Sequence, residues 1–407
     1  MERIIQTCIY HSKRGSSMKN SLVKRILASA SAIVMLLAVA GCAKEEEKPT
    51  FTGDKTEEPV YQMNLNEISP AAYSEVRDLN LEPGTYISII GKDESSAFWK
   101  NVKKGAMQAA EDLNAELGYT GSDKIKVTYN APAETEDIDE QVNILDEELA
   151  RYPDVVGIAS IDEDACTVQF DLATENGIPI VALDSGNNYP GIQCTVKTDN
   201  QDAARTGAYK LADEMGRDGK VLLLVHDSKS ETGKERATSF QTEIQENYPN
   251  IQIAEVLYCD KLIDVKKAII EEKNAEMSAE DKTAAIEAMT DEDVIAYYLQ
   301  KHPEVKGVFG TNNVTTQLAV SALEKAEKSE EIIVMGFDAG KDQIQDVRDG
   351  KIAGLVVQNP FAIGYASVIA SARTVLQVGN EAVVNVGYTW VTKENLESES
   401  IQHMVYE

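Results

Sequence analysis

Carboxylates, carboxamides and one pair of aromatics recur in this chain at one kind of place, just after short apolar runs. Ser95, Ser96, Phe98 and Trp99 come after TYISII, Asp162 after VVGIAS, Asp184 and Ser185 after IPIVAL, and His226 and Asp227 after KVLLLV. Asp260 comes after IQIAEVLY, Asn312 and Asn313 after VKGVFG, Asp338 after EIIVMGF, and Gln358 and Asn359 after IAGLVV. An ionised Asp accepts hydrogen bonds from two vicinal hydroxyls, and Asn or Gln supplies a donor and an acceptor together. An aromatic face packs on the C–H side of a sugar ring. Any one of these Asp or Asn residues could simply cap a helix or make a turn. As a set they suit a small, neutral, polyhydroxylated ligand.

Other chemistries lack their residues. No GxSxG, P-loop or GxGxxG opens a helix, so no catalytic residue is assigned and the chain reads as a binder, not an enzyme. His11, His226, His302 and His403 are scattered and form no HExxH, so neither a metal nor another cofactor is expected. Cys8, Cys42, Cys166, Cys194 and Cys259 include no CxxC, and the last three are expected as small buried residues. The formal net charge is −29, although the first 41 residues carry six Lys/Arg and one acid. The remainder is therefore more acidic still and should repel nucleic acid and anionic lipid.

Those first residues read as an address. Met18 is the better start. Lys19, Lys24 and Arg25 make a basic segment, Ile26 to Ala40 an apolar one, and Val39-Ala40-Gly41-Cys42 ends it with small residues before a Cys. The apolar run is short and Ala/Ser-rich for a spanning helix, and the pattern is that of a cleaved secretory leader. Residues 1–41 are thus expected to be a lipoprotein signal peptide, with Cys42 lipidated as the mature N-terminus. Residues 42–84, rich in acids, Thr and Pro, are expected to be a flexible acidic tether with at most a short helix near 71–79. The body would then stand on the extracellular face of a membrane, held there by lipid.

Stepping along the body, strands and helices alternate from Thr85 with short links, which argues for parallel sheets covered by helices on both faces. The alternation runs once to about residue 198 and then begins again, predicting two lobes. Residues 261–302 are too long for one helix, and the charged, Ala-rich stretch about 265–295 is expected as an inserted helical hairpin. In open α/β sheets ligands bind beyond the carboxyl ends of strands, where the polar set above would gather.

SSAFWKNVKKGAMQAA, VALDSGN, TVKTDN, TGKERATSF, VFGTNN, VMGFDAG and LVVQNPFAIGY, in this order over about residues 85–395, resemble the ribose-binding type of periplasmic binding protein. The resemblance implies a type I fold: two Rossmann-like lobes joined by a three-stranded hinge, with crossovers near Thr198-Asp199, Gln358-Asn359 and Tyr388–Trp390. The first lobe would hold 85–198 plus 359–388 and the second 199–358 plus 389–407. It implies stacking by Phe98 and Trp99, hydroxyl-accepting roles for Asp184 and Asp338, and carboxamide contacts from Asn312 and Gln358. Three positions depart from the family. Ser185 stands where the ribose binders carry an Arg after the first Asp, Lys234 where another Arg precedes the ERG-like run, and Ser96 where a first-loop Asn sits. Ser96 and Lys234 are kept as candidate ligand contacts. The expected partners are a sugar or polyol and an ABC transporter permease, with the protein a monomer. A sensor subunit that presents a bound sugar-like signal to a membrane receptor is the alternative.

Overall fold

The computed structural model describes residues 58–406, so the leader, Cys42 and the start of the tether lie outside the described residues. Twelve strands form two six-stranded sheets. The first lobe contains β1 (Tyr86–Ile90), β2 (Lys126–Asn130), β3 (Val155–Ile158), β4 (Ile180–Leu183), β5 (Ile192–Lys197) and, late in the chain, β11 (Val383–Asn385). The second contains β6 (Gly219–Val225), β7 (Ile251–Tyr258), β8 (Val305–Gly310), β9 (Ile333–Phe337), β10 (Gly354–Gln358) and β12 (Tyr388–Val391). The orders are β11-β5-β4-β3-β1-β2 and β12-β10-β9-β8-β6-β7, so the lobes repeat one plan. Every pairing is parallel except β12 with β10. Both central sheets are buried on two faces, which is why their strands read as unbroken apolar runs such as VLLLV.

The chain passes between the sheets three times: after Lys197, after Gln358, and between Asn385 and Tyr388. The last passage lies at Val386-Gly387, just before the place expected from the sequence, because Tyr388 already pairs with Gln358 in the second sheet.

The helix Ala97–Leu117 shows how local sequence sets the site. Ser96 caps it by accepting the Trp99 N–H, Gly118 ends it in the left-handed conformation (φ +69°), and Val102, Ala106, Ala109 and Leu113 bury one face. That face lies against the helix Pro360–Val375, which leaves the second crossover directly. The two helices touch backbone to backbone. A Cβ on Gly105 would come within 1.9 Å of the Phe361 carbonyl, and one on Gly364 within 1.9 Å of the Val102 carbonyl. Only glycine permits this approach, and it fixes the hinge end of the second helix against the first lobe.

Two expectations need correction. Residues 58–84 are not a tether: Leu65, Ile68, Tyr73, Leu79 and Leu81 are buried in the first lobe's core. Ser69 and Asn385 exchange both backbone hydrogen bonds (2.8 and 3.0 Å), and only a 3-10 turn, Ala71–Tyr73, stands where a short helix was expected. The segment holds only one α-helical turn, Gln62–Leu65, besides that 3-10 turn, so its apolar residues follow no sustained period. The expected hairpin is three helices, Leu262–Lys273, Ala279–Ala288 and Asp291–Lys301. The outer two bury Leu262, Ile269, Val294, Ile295 and Leu299 in the second lobe's core, and only Ala279–Ala288 buries none of its residues.

Candidate functional site

A cavity of about 370 Å³ lies between the lobes at the carboxyl ends of the strands. Of the residues singled out from the sequence, Ser96, Phe98, Trp99, Asp184, Asn312, Asp338 and Gln358 border it.

Asp184 leaves β4 and Asp338 leaves β9, equivalent strands in the two sheets. Both are buried. The Asp338 carboxylate accepts the Asn313 N–H and the Gln358 side-chain amide, each at 2.7 Å. Lys92 Nζ is 3.9 Å from the Asp184 carboxylate, beyond hydrogen-bond range. Burial pushes the Asp184 carboxyl upward, against the opposing pull of Lys92 and then Arg236. With Lys92 out of hydrogen-bond range, the carboxyl faces the cavity and is placed to bond a guest.

Arg236 organises the floor. It is 3% exposed. Its Nε donates to Asn200 Oδ1 (2.8 Å), one terminal nitrogen to the Thr311 carbonyl (2.7 Å), and the other to Gln358 Oε1 (2.8 Å). Gln358 Oε1 also accepts the Thr198 hydroxyl at 3.1 Å, so two crossovers are tied through one carboxamide. With its oxygen held by Arg236 and Thr198, Gln358 must present its NH2 to Asp338. The guanidinium lies 4.3 Å from the Phe337 ring centroid.

Lys234 is not brought in. Its side chain is 47% exposed and pairs with Glu163 of the first lobe, outside the cavity. In the helix Glu231–Asn247 the buried positions include Thr232, Gly233, Arg236, Ala237 and Phe240, and 234 falls on the opposite face. The cation that meets the site from this helix is Arg236, which the helical phase would have selected.

Phe98 and Trp99 meet edge to face at 5.2 Å. Trp99 is 6% exposed and belongs to the first lobe's core, whereas Phe98 packs against the cores of both lobes. Ser96 lines the cavity with its hydroxyl oxygen already accepting the Trp99 N–H at 3.3 Å.

The sequence reading did not select Lys92, Glu136, His226, Asn313 or Tyr406 as contacts, yet all line the cavity. His226 was visible as a strand-end residue. Its Nδ1 lies 2.7 Å from the Thr311 hydroxyl and its Nε2 3.3 Å from that of Thr232. Burial lowers its pKa to about 3, so the ring is neutral near pH 7. Glu136 is raised to about 7, by burial first and then by Asp227. Of the cavity's charged lining, Lys92 and Arg236 are buried against Asp93, Asp184 and Asp338, two cations against three carboxylates.

Direct bonds also cross the cleft. The Gly186 N–H donates to Glu231 at 2.6 Å, and Lys197 binds Glu231 (2.9 Å) and Glu235 (3.0 Å). Among the described residues no cluster of His, Cys, Asp and Glu has the arrangement of a metal site, and no helix is long and apolar enough to cross a membrane.

A model of the periplasmic binding protein domain matches residues 87–380. The chain is 24% identical to the ribose import binding protein of Escherichia coli K12 over 310 residues, covering 76% of this chain and 91% of that one. It is 24% identical over 229 residues to the ribose import binding protein of Bacillus subtilis, covering 56% of this chain and 65% of that one. In fold it is similar to an ABC transporter solute-binding protein from Agrobacterium vitis solved with bound D-fucose (TM-score 0.65, 24% identity, 79% of this chain and all of that one).

Proposed function

The chain belongs to the periplasmic binding protein domain family, and on that premise we propose that it captures a small neutral sugar or polyol between its lobes and delivers it to an ABC permease. The observation that carries this reading is the pair of buried carboxylates, Asp184 and Asp338, offered by opposite lobes to one cavity. A ligand that gives hydroxyl protons to both must bridge the lobes. With three buried carboxylates against two buried cations, a negatively charged guest would add uncompensated charge in a poorly solvated site, which is costly. Aromatic rings at Phe98 and Trp99 suit the C–H face of such a molecule.

Relatives named for ribose import and a fold neighbour holding D-fucose support a monosaccharide as the class. Ser185, standing where the ribose binders have an Arg, leaves a different hydroxyl pattern and argues against ribose itself. The basic, apolar, then VAGC leader supports export and lipid attachment at Cys42, which would hold the body at the outer face of the cell membrane.

A thermal-shift panel tests the reading. D-ribose, D-arabinose, D-fucose, D-tagatose, D-allose and ribitol are compared with D-glucuronate and L-leucine. A ligand at a hundred times its Kd stabilises the folded state by about 2.7 kcal/mol, a rise of several degrees. At least one neutral sugar or polyol should give it. A shift with glucuronate or leucine and none with the neutral compounds would overturn the reading.

A further inference from the structure

After β12 the chain runs back over the second lobe and brings Tyr406 to the cleft. Leu396, Ile401 and Met404 are buried in that lobe's core, and Glu397 pairs with Arg348 at 2.9 Å. This anchoring delivers Tyr406, which is 4% exposed, to the cavity wall. The Tyr406 N–H donates to the Ala339 carbonyl at 3.4 Å, and its hydroxyl oxygen accepts the Ala339 N–H at 3.2 Å, one residue from Asp338. Its ring meets Phe98 edge-on at 5.9 Å. Phe98 comes from the first lobe, so Tyr406 spans from the second lobe's carboxylate to the first lobe's aromatic pair. A second bond fixes the tail to the hinge side: the His403 carbonyl accepts Asn64 Nδ2 at 2.9 Å, and Asn64 itself bonds Asn359 at the second crossover. Burial, then the Asp338 charge, raises the Tyr406 pKa well above its usual value, so the phenol keeps its proton.

We propose that Tyr406 is a ligand-contacting residue that sets specificity, its ring completing an aromatic corner with Phe98 and its hydroxyl acting with Asp338 on one hydroxyl of the bound sugar. This rests on the sugar reading above. The phenol oxygen already accepts from Ala339, which leaves its proton for Asp338 or for a ligand oxygen. A sugar hydroxyl that donates to Asp338 can accept from Tyr406, so that position is read by a donor and an acceptor together. The ring also limits length in this direction, which favours a monosaccharide without a substituent there.

The test is calorimetric titration of wild type, Tyr406→Phe and Tyr406→Ala with the six sugars and polyols of the panel, alongside melting curves. Tyr406→Ala is expected to weaken the best wild-type binder about ten-fold or more, from lost stacking and burial. Tyr406→Phe keeps the ring and is expected to weaken it by about three- to ten-fold and to change the order of preference among the six compounds. A merely structural tail would lower the melting temperature without reordering them. A folded Tyr406→Ala protein with wild-type affinities and order would overturn the proposal and leave the sugar reading intact. So would an equal loss for every compound in Tyr406→Ala with Tyr406→Phe matching wild type. Binding of none of the six by wild type would overturn both.

Discussion

Asp184 and Asp338 leave equivalent strands of two separate sheets in the same unusual backbone conformation, with φ of +56° and +79°, and each returns its N–H to the adjacent strand, Val196 O at 2.8 Å and Val356 O at 2.9 Å. Asp and Asn tolerate this left-handed region where most side chains do not. The turn aims each carboxylate back across the strand ends, and strain of this kind concentrates at ligand clamps.

The Asn variants therefore change the chemistry and spare the backbone. Asp184→Asn and Asp338→Asn are each expected to weaken sugar binding by about 1–3 kcal/mol, a ten- to hundred-fold rise in Kd, because one ligand hydroxyl loses its acceptor. Titration calorimetry on each variant, with unchanged far-ultraviolet circular dichroism, is the check. Alanine would be less informative, since it adds a cost for φ above zero.

The two cations of the helix Glu231–Asn247 should behave differently. Lys234→Ala removes an exposed pair with Glu163, worth about 0–1 kcal/mol, and should change affinity little. Arg236→Met leaves Gln358, Asn200 and the Thr311 carbonyl without their donor and exposes Asp184 and Asp338 to each other's charge. Removing one partner of such a buried network costs about 3–5 kcal/mol. Denaturant melts should show that loss for Arg236→Met and almost none for Lys234→Ala.

Much of this was legible in the residues, for a physical reason. Strands buried on two faces are apolar runs, so the polar residue that ends each one stands out, and Asp184, Asn312, Asp338 and Gln358 were found that way. The family motif points to Lys234, whereas Thr232, Arg236 and Phe240 mark the inward face of the same helix. The caps Ser278 with Asp281 and Thr290 with Asp293 announce two helix starts inside the stretch read as a hairpin. Residues 58–84 carried apolar side chains without a period, and only tertiary packing decides where such a segment goes. Tyr406 had no local signal at all, since its place depends on Leu396, Ile401 and Met404 docking first.

Acid should reveal His226. Its folded pKa of about 3 lies below the unfolded value of about 6.5, so the ring is neutral when folded and gains a proton only on unfolding. Its contribution is full above pH 6.5 and is lost as pH falls from there toward 3. His226→Gln, which cannot titrate, should lose less stability than wild type between pH 6.5 and 4 in chemical denaturation. Parallel curves for the two proteins would contradict the assignment of a neutral buried ring.

Lipid attachment has its own check. Cys42→Ser should move the protein from the membrane fraction to the soluble fraction of the host, with wild type remaining in the membrane after carbonate washing. A Ser variant that stays in the washed membrane would refute the anchor.

Bridging of the lobes by one guest is the centre of the mechanism. Each lobe alone offers only one of the two strand-end carboxylates, Asp184 or Asp338, and part of the wall, so a sugar favours the closed form through contacts it makes only there. The crossovers at Thr198, Gln358 and Val386-Gly387 would take up the rotation. Small-angle X-ray scattering of ligand-free protein, and of protein saturated with the compound giving the largest thermal shift, measures this directly. Wild type should become more compact on saturation, and Asp184→Asn/Asp338→Asn should not at the same concentration. Superposable curves for free and saturated wild type would contradict closure on a bridging ligand, whatever the affinities.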